Sequence, residues 1–160
     1  MIKNQNTNKN KSSTNGTTSN KKNSSTKANK TMYINKNEWK IVIPVINLEA
    51  NIAEGTSDDV MNKYVGHFSV TNTWNGNVAL AAHNRGYPVN YFANLKNLKK
   101  GDLIEYYNEG KVRKYKVEII TKIKDTDWTY LENTKDNRIT LITCVENEPE
   151  YRRCIQGIEI

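Results

Sequence analysis

From Trp39 onward the chain alternates short runs of apolar, β-branched and aromatic residues with polar turns. Residues 40–44 and 45–48 are rich in strand formers, with Pro44 marking a bend or an edge because it has no N–H for a ladder. Residues 56–65 predict a short helix: Thr56 or Ser57 caps it, Asp58 and Asp59 fill its first turn, and Gly66 stops it. Residues 77–83 read as a strand of small side chains that delivers His83 at its end. Residues 91–102 predict a helical turn followed by a tight turn. Residues 103–107 and 111–124 form a hairpin closed at Asn108-Glu109-Gly110. In its second arm Arg113, Tyr115, Val117, Ile119, Thr121 and Ile123 make a mainly apolar set, so that face is buried. Residues 138–144 and 151–160 are the closing strands. Many short strands with little helix predict an all-β domain with short helices, closed or nearly closed as a barrel that hides its edges.

The first 37 residues break this pattern. They are mostly Asn, Lys, Ser and Thr, with eight lysines and no acid. Such a segment buries too little apolar surface to offset the entropy of ordering, so residues 1–37 are expected to be a disordered tail and 38–160 a single domain. A basic tail of this kind either lies along anionic lipid or wall polymer or serves as a solvated linker. It also carries the net charge of +7, because residues 38–160 hold 16 basic against 17 acidic residues. A nearly neutral domain without a basic, aromatic-lined groove argues against a nucleic-acid partner. No run approaches the roughly 20 apolar residues of a spanning helix, and no signal peptide is visible.

Two cysteines do not make a disulfide framework in a domain this size. If Cys144 and Cys154 faced each other across adjacent strands they could bridge, but both are expected to be reduced if Cys144 reacts. Cys144 ends the β-branched strand Thr140-Leu141-Ile142-Thr143-Cys144. Arg152 opens the next run, Arg152-Arg153-Cys154-Ile155-Gln156-Gly157, and His83 stands upstream in Ala81-Ala82-His83-Asn84-Arg85-Gly86. A strand-end thiol, a distant imidazole and a guanidinium on the next strand can make a complete nucleophilic site. The thiol attacks, the imidazole shuttles protons near neutral pH, and the guanidinium neutralises an oxyanion. His67 is the competing histidine and is read as structural or part of a groove wall. Arg153 is read as a solvated neighbour, and Asn75-Gly76-Asn77 as a turn that is either plain or part of the groove wall. The four Cys and His residues have no paired short spacing, which excludes a zinc site.

These segments resemble the sortases, the cysteine transpeptidases that join surface proteins to the bacterial cell wall or to one another. The pentapeptide ending at Cys144 is the family's most specific mark, and the resemblance runs from about Trp39 to Ile160. It implies an eight-stranded barrel, with Cys144 as nucleophile, His83 as general acid and base, and Arg152 as oxyanion holder. It implies a sorting-signal peptide of the Leu-Pro-X-Thr-Gly type as substrate, cleaved at Thr-Gly through a thioacyl intermediate. The acceptor is an amine of a peptidoglycan precursor or a pilin lysine, at the outer face of a Gram-positive membrane. The alternatives are a hydrolytic cysteine peptidase and a catalytically silent barrel that binds wall peptides. The family's usual N-terminal hydrophobic anchor is not visible, so membrane attachment is expected only if an anchor was removed. No class B helical insertion or class C lid is evident, which leaves a class A-like or class D-like enzyme, the compact length favouring class D. No cofactor is expected. Some sortases bind calcium, and Asp58, Asp59, Asp125, Asp127 and Glu132 offer oxygen ligands, though without an EF-hand loop.

Overall fold

The computed structural model describes residues 36–160, and within them the β-branched runs become eight strands. These are β1 (Trp39–Ile43), β2 (Leu48–Glu54), β3 (Val65–His67), β4 (Asn77–Ala81), β5 (Leu103–Asn108), β6 (Lys111–Lys124), β7 (Arg138–Val145) and β8 (Glu148–Glu159). They close into a barrel in the order β1-β2-β3-β4-β7-β8-β6-β5, sealed by antiparallel pairing of β1 with β5. Closure leaves no free edge, the all-β solution expected from the sequence.

Two pairings in this barrel are parallel, β2 with β3 and β4 with β7. Strands 4 and 7 are buried on both faces, which parallel strands usually require. Alternation along them sorts side chains into two apolar clusters. Val78, Leu80, Leu141 and Ile155 join the barrel core with Ile41, Ile43, Tyr106 and Tyr115. Ala79, Ile142 and Cys154 point the other way and pack with Ile123 and Leu131, partly covered by Phe68 and Tyr130. That second, smaller cluster is the floor of the site described below.

The long hairpin arm is the expected strand, but its single buried face is corrected: a bulge between Val117 and Ile119 turns the strand over, so Tyr115 and Val117 enter the barrel core and Ile123 the second cluster. Arg113, Tyr115, Val117 and Ile123 are buried while Lys114, Lys116, Glu118 and Lys122 face solvent. Glu109 and Gly110 both take positive φ, 49° and 74°, the backbone of a two-residue turn that matches strand twist.

Other expectations are corrected. Residues 45–48 do not continue a strand: Pro44–Ile46 form a 3-10 turn, Asn47 is left-handed at φ 51°, and β2 begins only at Leu48. Proline, with fixed φ and no N–H, suits the first position of such a turn. The helix expected over 56–65 contracts to α1, Asp58–Met61; Ser57 stands at its N-cap position without a side-chain cap bond. Gly66 lies within β3 and does not stop the helix; a Cβ there would sit 2.4 Å from the carbonyl oxygen of Gly55, so only glycine permits this approach. The helical turn and tight turn expected over 91–102 are both present, as the 3-10 turn Leu95–Asn97 and the Asp102 N–H to Lys99 carbonyl bond with Gly101 at φ 91°, whereas β8 starts at Glu148, three residues before the expected position. The expected tail of residues 1–37 lies, except for Lys36 and Asn37, outside the described residues.

Candidate active site

Parallel pairing of β4 and β7 explains why two residues 61 positions apart meet. Ala81 is level with Ile142 in that ladder, and two residues further along the same direction stand His83 and Cys144. Three bonds fasten the two strand ends together. The Thr143 hydroxyl donates to the Ala82 carbonyl at 2.7 Å, the Asn84 amide donates to the Cys144 carbonyl at 2.8 Å, and the Ala82 N–H reaches the Ile142 carbonyl at 3.4 Å. The antiparallel partner β8 then sets Arg152 directly opposite Cys144 and Cys154 opposite Ile142. Opposed residues of a ladder share a face, so the guanidinium lies on the thiol's side of the sheet.

A bulge sharpens this arrangement. The register jumps from Cys144–Arg152 to Val145–Glu148, so residues 149–151 leave the ladder beside the cysteine. The freed carbonyls of Pro149 and Tyr151 accept bonds from Arg152 Nη1 at 2.6 and 2.8 Å. One corner of the guanidinium is thereby fixed, and among the described residues Nε and Nη2 have no protein acceptor. Pro149, which cannot donate to a ladder, was the sequence signal for this irregularity.

Cys144 is exposed and Cys154 is wholly buried, and neither is in a disulfide. Burial, helped by Asp127, pushes the Cys154 thiol up to about 12, which keeps it protonated and inert. His83 is only 6% exposed. Among the described residues its Nε2 has no hydrogen-bond partner; it lies 3.9 Å from Asp58 Oδ1, while Tyr87 stacks on its ring. Burial pulls the imidazole below its ordinary 6.5, and the Asp58 carboxylate partly opposes this. His83 is thus a mainly neutral imidazole at pH 7 with a free nitrogen. His67 differs: it is 1% exposed, Nδ1 meets the Glu54 carboxylate at 3.0 Å, and Nε2 meets the Asn72 carbonyl at 3.0 Å. Both of its nitrogens are occupied, in keeping with a structural histidine.

His83, Cys144 and Arg152 line one cavity of about 300 Å³. Its floor is Ile142, Phe68, Leu131 and Ile123, and Asp58, Asp125, Asp127 and Trp128 stand in its walls. The loop between β6 and β7, which supplies Asp127, Trp128 and Leu131, is pinned from below. The buried Asn77 amide donates to the carbonyls of Tyr130 and Glu132 at 2.8 and 3.0 Å and accepts from the Thr140 hydroxyl at 2.7 Å. Gln156 Nε2 donates in turn to Thr140 Oγ1, and Arg138 donates to Gln156 Oε1. Asn77 therefore does more than form a turn: it holds the groove wall. Sequence reasoning missed the roles of Thr140, Gln156, Asn84 and Tyr87, since each depends on a partner at least four positions away. Among the described residues no three His, Cys, Asp or Glu side chains converge as metal ligands, so the acids considered for calcium do not form a set.

A family model described as a sortase domain matches residues 41–157. The chain belongs to the sortase family. It is 30% identical over 115 residues to sortase A of Bacillus anthracis, covering 71% of this chain and 51% of that protein. The chain thus spans about half the length of this curated relative. Among solved structures, sortase C-1 of Actinomyces oris superposes with a TM-score of 0.73 at 29% identity, covering 76% of this chain and 73% of that one. The pilus-related sortase C of Group B Streptococcus gives 0.72 at 26%, covering 78% and 68%. The sortase barrel expected from the sequence is the observed fold. Among the described residues no helix is long and apolar enough to cross a membrane.

Proposed function

We infer that this sortase-family chain is a cysteine transpeptidase acting on a sorting-signal peptide of the Leu-Pro-X-Thr-Gly type. The observation that carries the reading is one cavity walled at once by Cys144, His83 and Arg152. The Cys144 sulfur attacks the Thr-Gly carbonyl, and the oxyanion that forms is neutralised by the free donors of Arg152. The thiol proton passes through His83 to the leaving glycine amine as the C–N bond breaks, leaving a thioester on Cys144. An incoming amine forms a new C–N bond to the same carbonyl and releases the thiol. Two easier displacements replace one difficult amide exchange. The apolar floor of Ile142, Phe68, Leu131 and Ile123 suits an apolar peptide side chain.

The acceptor is an amine of the cell wall or of a pilin, and the site of action is the outer surface of a Gram-positive cell. Incubating the protein with a sorting-signal peptide, with and without an amine acceptor, and analysing products by mass spectrometry tests the reading. Acceptor-dependent ligation supports it. Cleavage without ligation indicates a hydrolytic peptidase, and an unreacted, unlabelled Cys144 indicates a silent binding barrel.

A further inference from the structure

The parallel ladder of β4 and β7 stops short of the residues that react. Its last backbone bond runs from the Ala82 N–H to the Ile142 carbonyl and is stretched to 3.4 Å. Bonds in such a ladder are evenly spaced, so the next would join the Asn84 N–H to the Cys144 carbonyl. The main chain has turned away by then, and the His83 carbonyl accepts from the Phe92 N–H at 3.0 Å as the loop returns to the core. The Cys144 carbonyl instead accepts from the Asn84 side chain, whose Nδ2 donates at 2.8 Å. A side chain takes the place of a backbone rung and lets the chain leave the strand at His83.

On the other side of β7 the regular pairing ends almost as soon. The register with β8 shifts directly after Cys144, from Arg152 to Glu148. Cys144 is thus the last residue of β7 before the bulge on that side, and it lies beyond the regular ladder on the β4 side. The Thr143 hydroxyl bond to the Ala82 carbonyl ties the strands one residue before each reacting group. Arg85 also reaches Glu146 and Asn147, at 2.8 and 3.0 Å, but between exposed side chains, where such pairs contribute little. The Asn84 bond differs in what its ends carry. Asn84 directly follows His83, and the accepting carbonyl belongs to Cys144 itself. One hydrogen bond therefore joins the base's main chain to the nucleophile's.

We propose that Asn84 is a positioning residue: its side chain extends the β4–β7 ladder by one rung and so sets His83 against Cys144 for proton transfer. The proposal rests on the transpeptidase reading above and adds to it a residue outside the reacting trio. Asn84 does not line the donor cavity walled by Cys144, His83 and Arg152. It acts through the placement of those two side chains and not through the peptide. Its loss should therefore slow the chemical step and leave peptide binding as it is.

The test uses the full chain and a sorting-signal peptide, with thioester formation on Cys144 followed by intact mass so that no acceptor enters the measurement. Asn84→Ala is expected to lower the maximal acylation rate by about tenfold or more, the scale of a misplaced reacting group, with the half-saturating peptide concentration within about twofold of wild type. Asn84→Asp keeps the shape and removes the donor, so it should show the same loss and stands in should the alanine variant melt early. Arg85→Gln loosens the same loop without touching the Cys144 carbonyl and should acylate as the wild type does. A wild-type rate in either Asn84 variant, a loss confined to peptide binding, or an equal loss in Arg85→Gln overturns the proposal while leaving transpeptidation intact. A wild-type protein that forms no thioester overturns it together with the reading on which it rests.

Discussion

The phenol ring of Tyr87 lies flat on the imidazole of His83, their centroids 3.5 Å apart and their planes 3° from parallel. Tyr87 is itself half exposed, so it acts as a cover between His83 and water. Burial is the larger influence on the His83 pKa, and it acts downward. Tyr87→Ala should therefore let the imidazole rise towards its ordinary 6.5. With two histidines in the chain, a titration followed by NMR separates His83 from His67 directly. An unchanged or lower value in the variant would show that Tyr87 does not shield the ring.

Asp58→Asn should move the same pKa in the other direction, because the Asp58 carboxylate raises it. The consequence for stability has a definite sign. The folded value lies below the ordinary 6.5, so on acidification the unfolded chain takes up the proton first. Stability held by neutral His83 is whole above that pH and is lost as pH falls through the folded pKa. Urea unfolding from pH 7.5 to 5 should show a steeper loss for Asp58→Asn than for the wild type. A shallower loss would contradict the assigned influence of Asp58.

The barrel was legible because its cause is local. Alternation up to Val117 and the Glu109-Gly110 turn state strand and register without help from distant partners, whereas the bulge between Val117 and Ile119 has no such local signal. Cys144, His83 and Arg152 could be proposed from the sortase-like segments that carry them. Their meeting could not, since it depends on a parallel ladder that no short-range pattern announces. The elements misread were those governed by single backbone constraints: the turn begun by Pro44 and the contact that demands Gly66. The Asn77–Thr140–Gln156 chain was hidden for another reason. Small polar residues inside apolar strands look like imperfections until their partners are known.

Cys144→Ala should abolish thioester formation and leave the fold intact, because its sulfur is exposed. Cys154→Ala should keep most of the activity, and its cost should appear in stability, about 1 kcal/mol for a small vacancy in the floor cluster. Intact-mass detection of the thioacyl adduct and a melting curve measure both. A dead Cys154→Ala with an active Cys144→Ala would reverse the assignment.

Asn77→Ala separates wall from chemistry. Its amide makes two bonds to the loop carrying Trp128 and Leu131 and accepts one from Thr140, all from a side chain 1% exposed. Truncation leaves the Tyr130 and Glu132 carbonyls without that donor, a loss of about 2 to 3 kcal/mol. Because the loop forms one wall of the donor cavity, KM for the sorting-signal peptide should rise more than kcat falls. A fall in kcat alone would place Asn77's influence on the reacting groups instead.

Arg152→Ala tests the residue on which the oxyanion reading depends. The guanidinium faces the cysteine across the ladder and is fixed at one corner by the Pro149 and Tyr151 carbonyls, which leaves its other donors free for a developing charge. Removing it should lower kcat/KM by about a hundredfold or more, the scale of losing an oxyanion donor. Arg152→Lys should recover little. An ammonium can bond one of the two bulge carbonyls, but it cannot keep that anchor and still present a second, fixed set of donors to the carbonyl oxygen. The chemistry of the anchor therefore adds to the cost of losing charge, and the lysine variant should resemble alanine more than arginine. Measurement of kcat/KM for the two variants, with acceptor held saturating, decides the matter. Near-wild-type activity in either would remove Arg152 from the transition state.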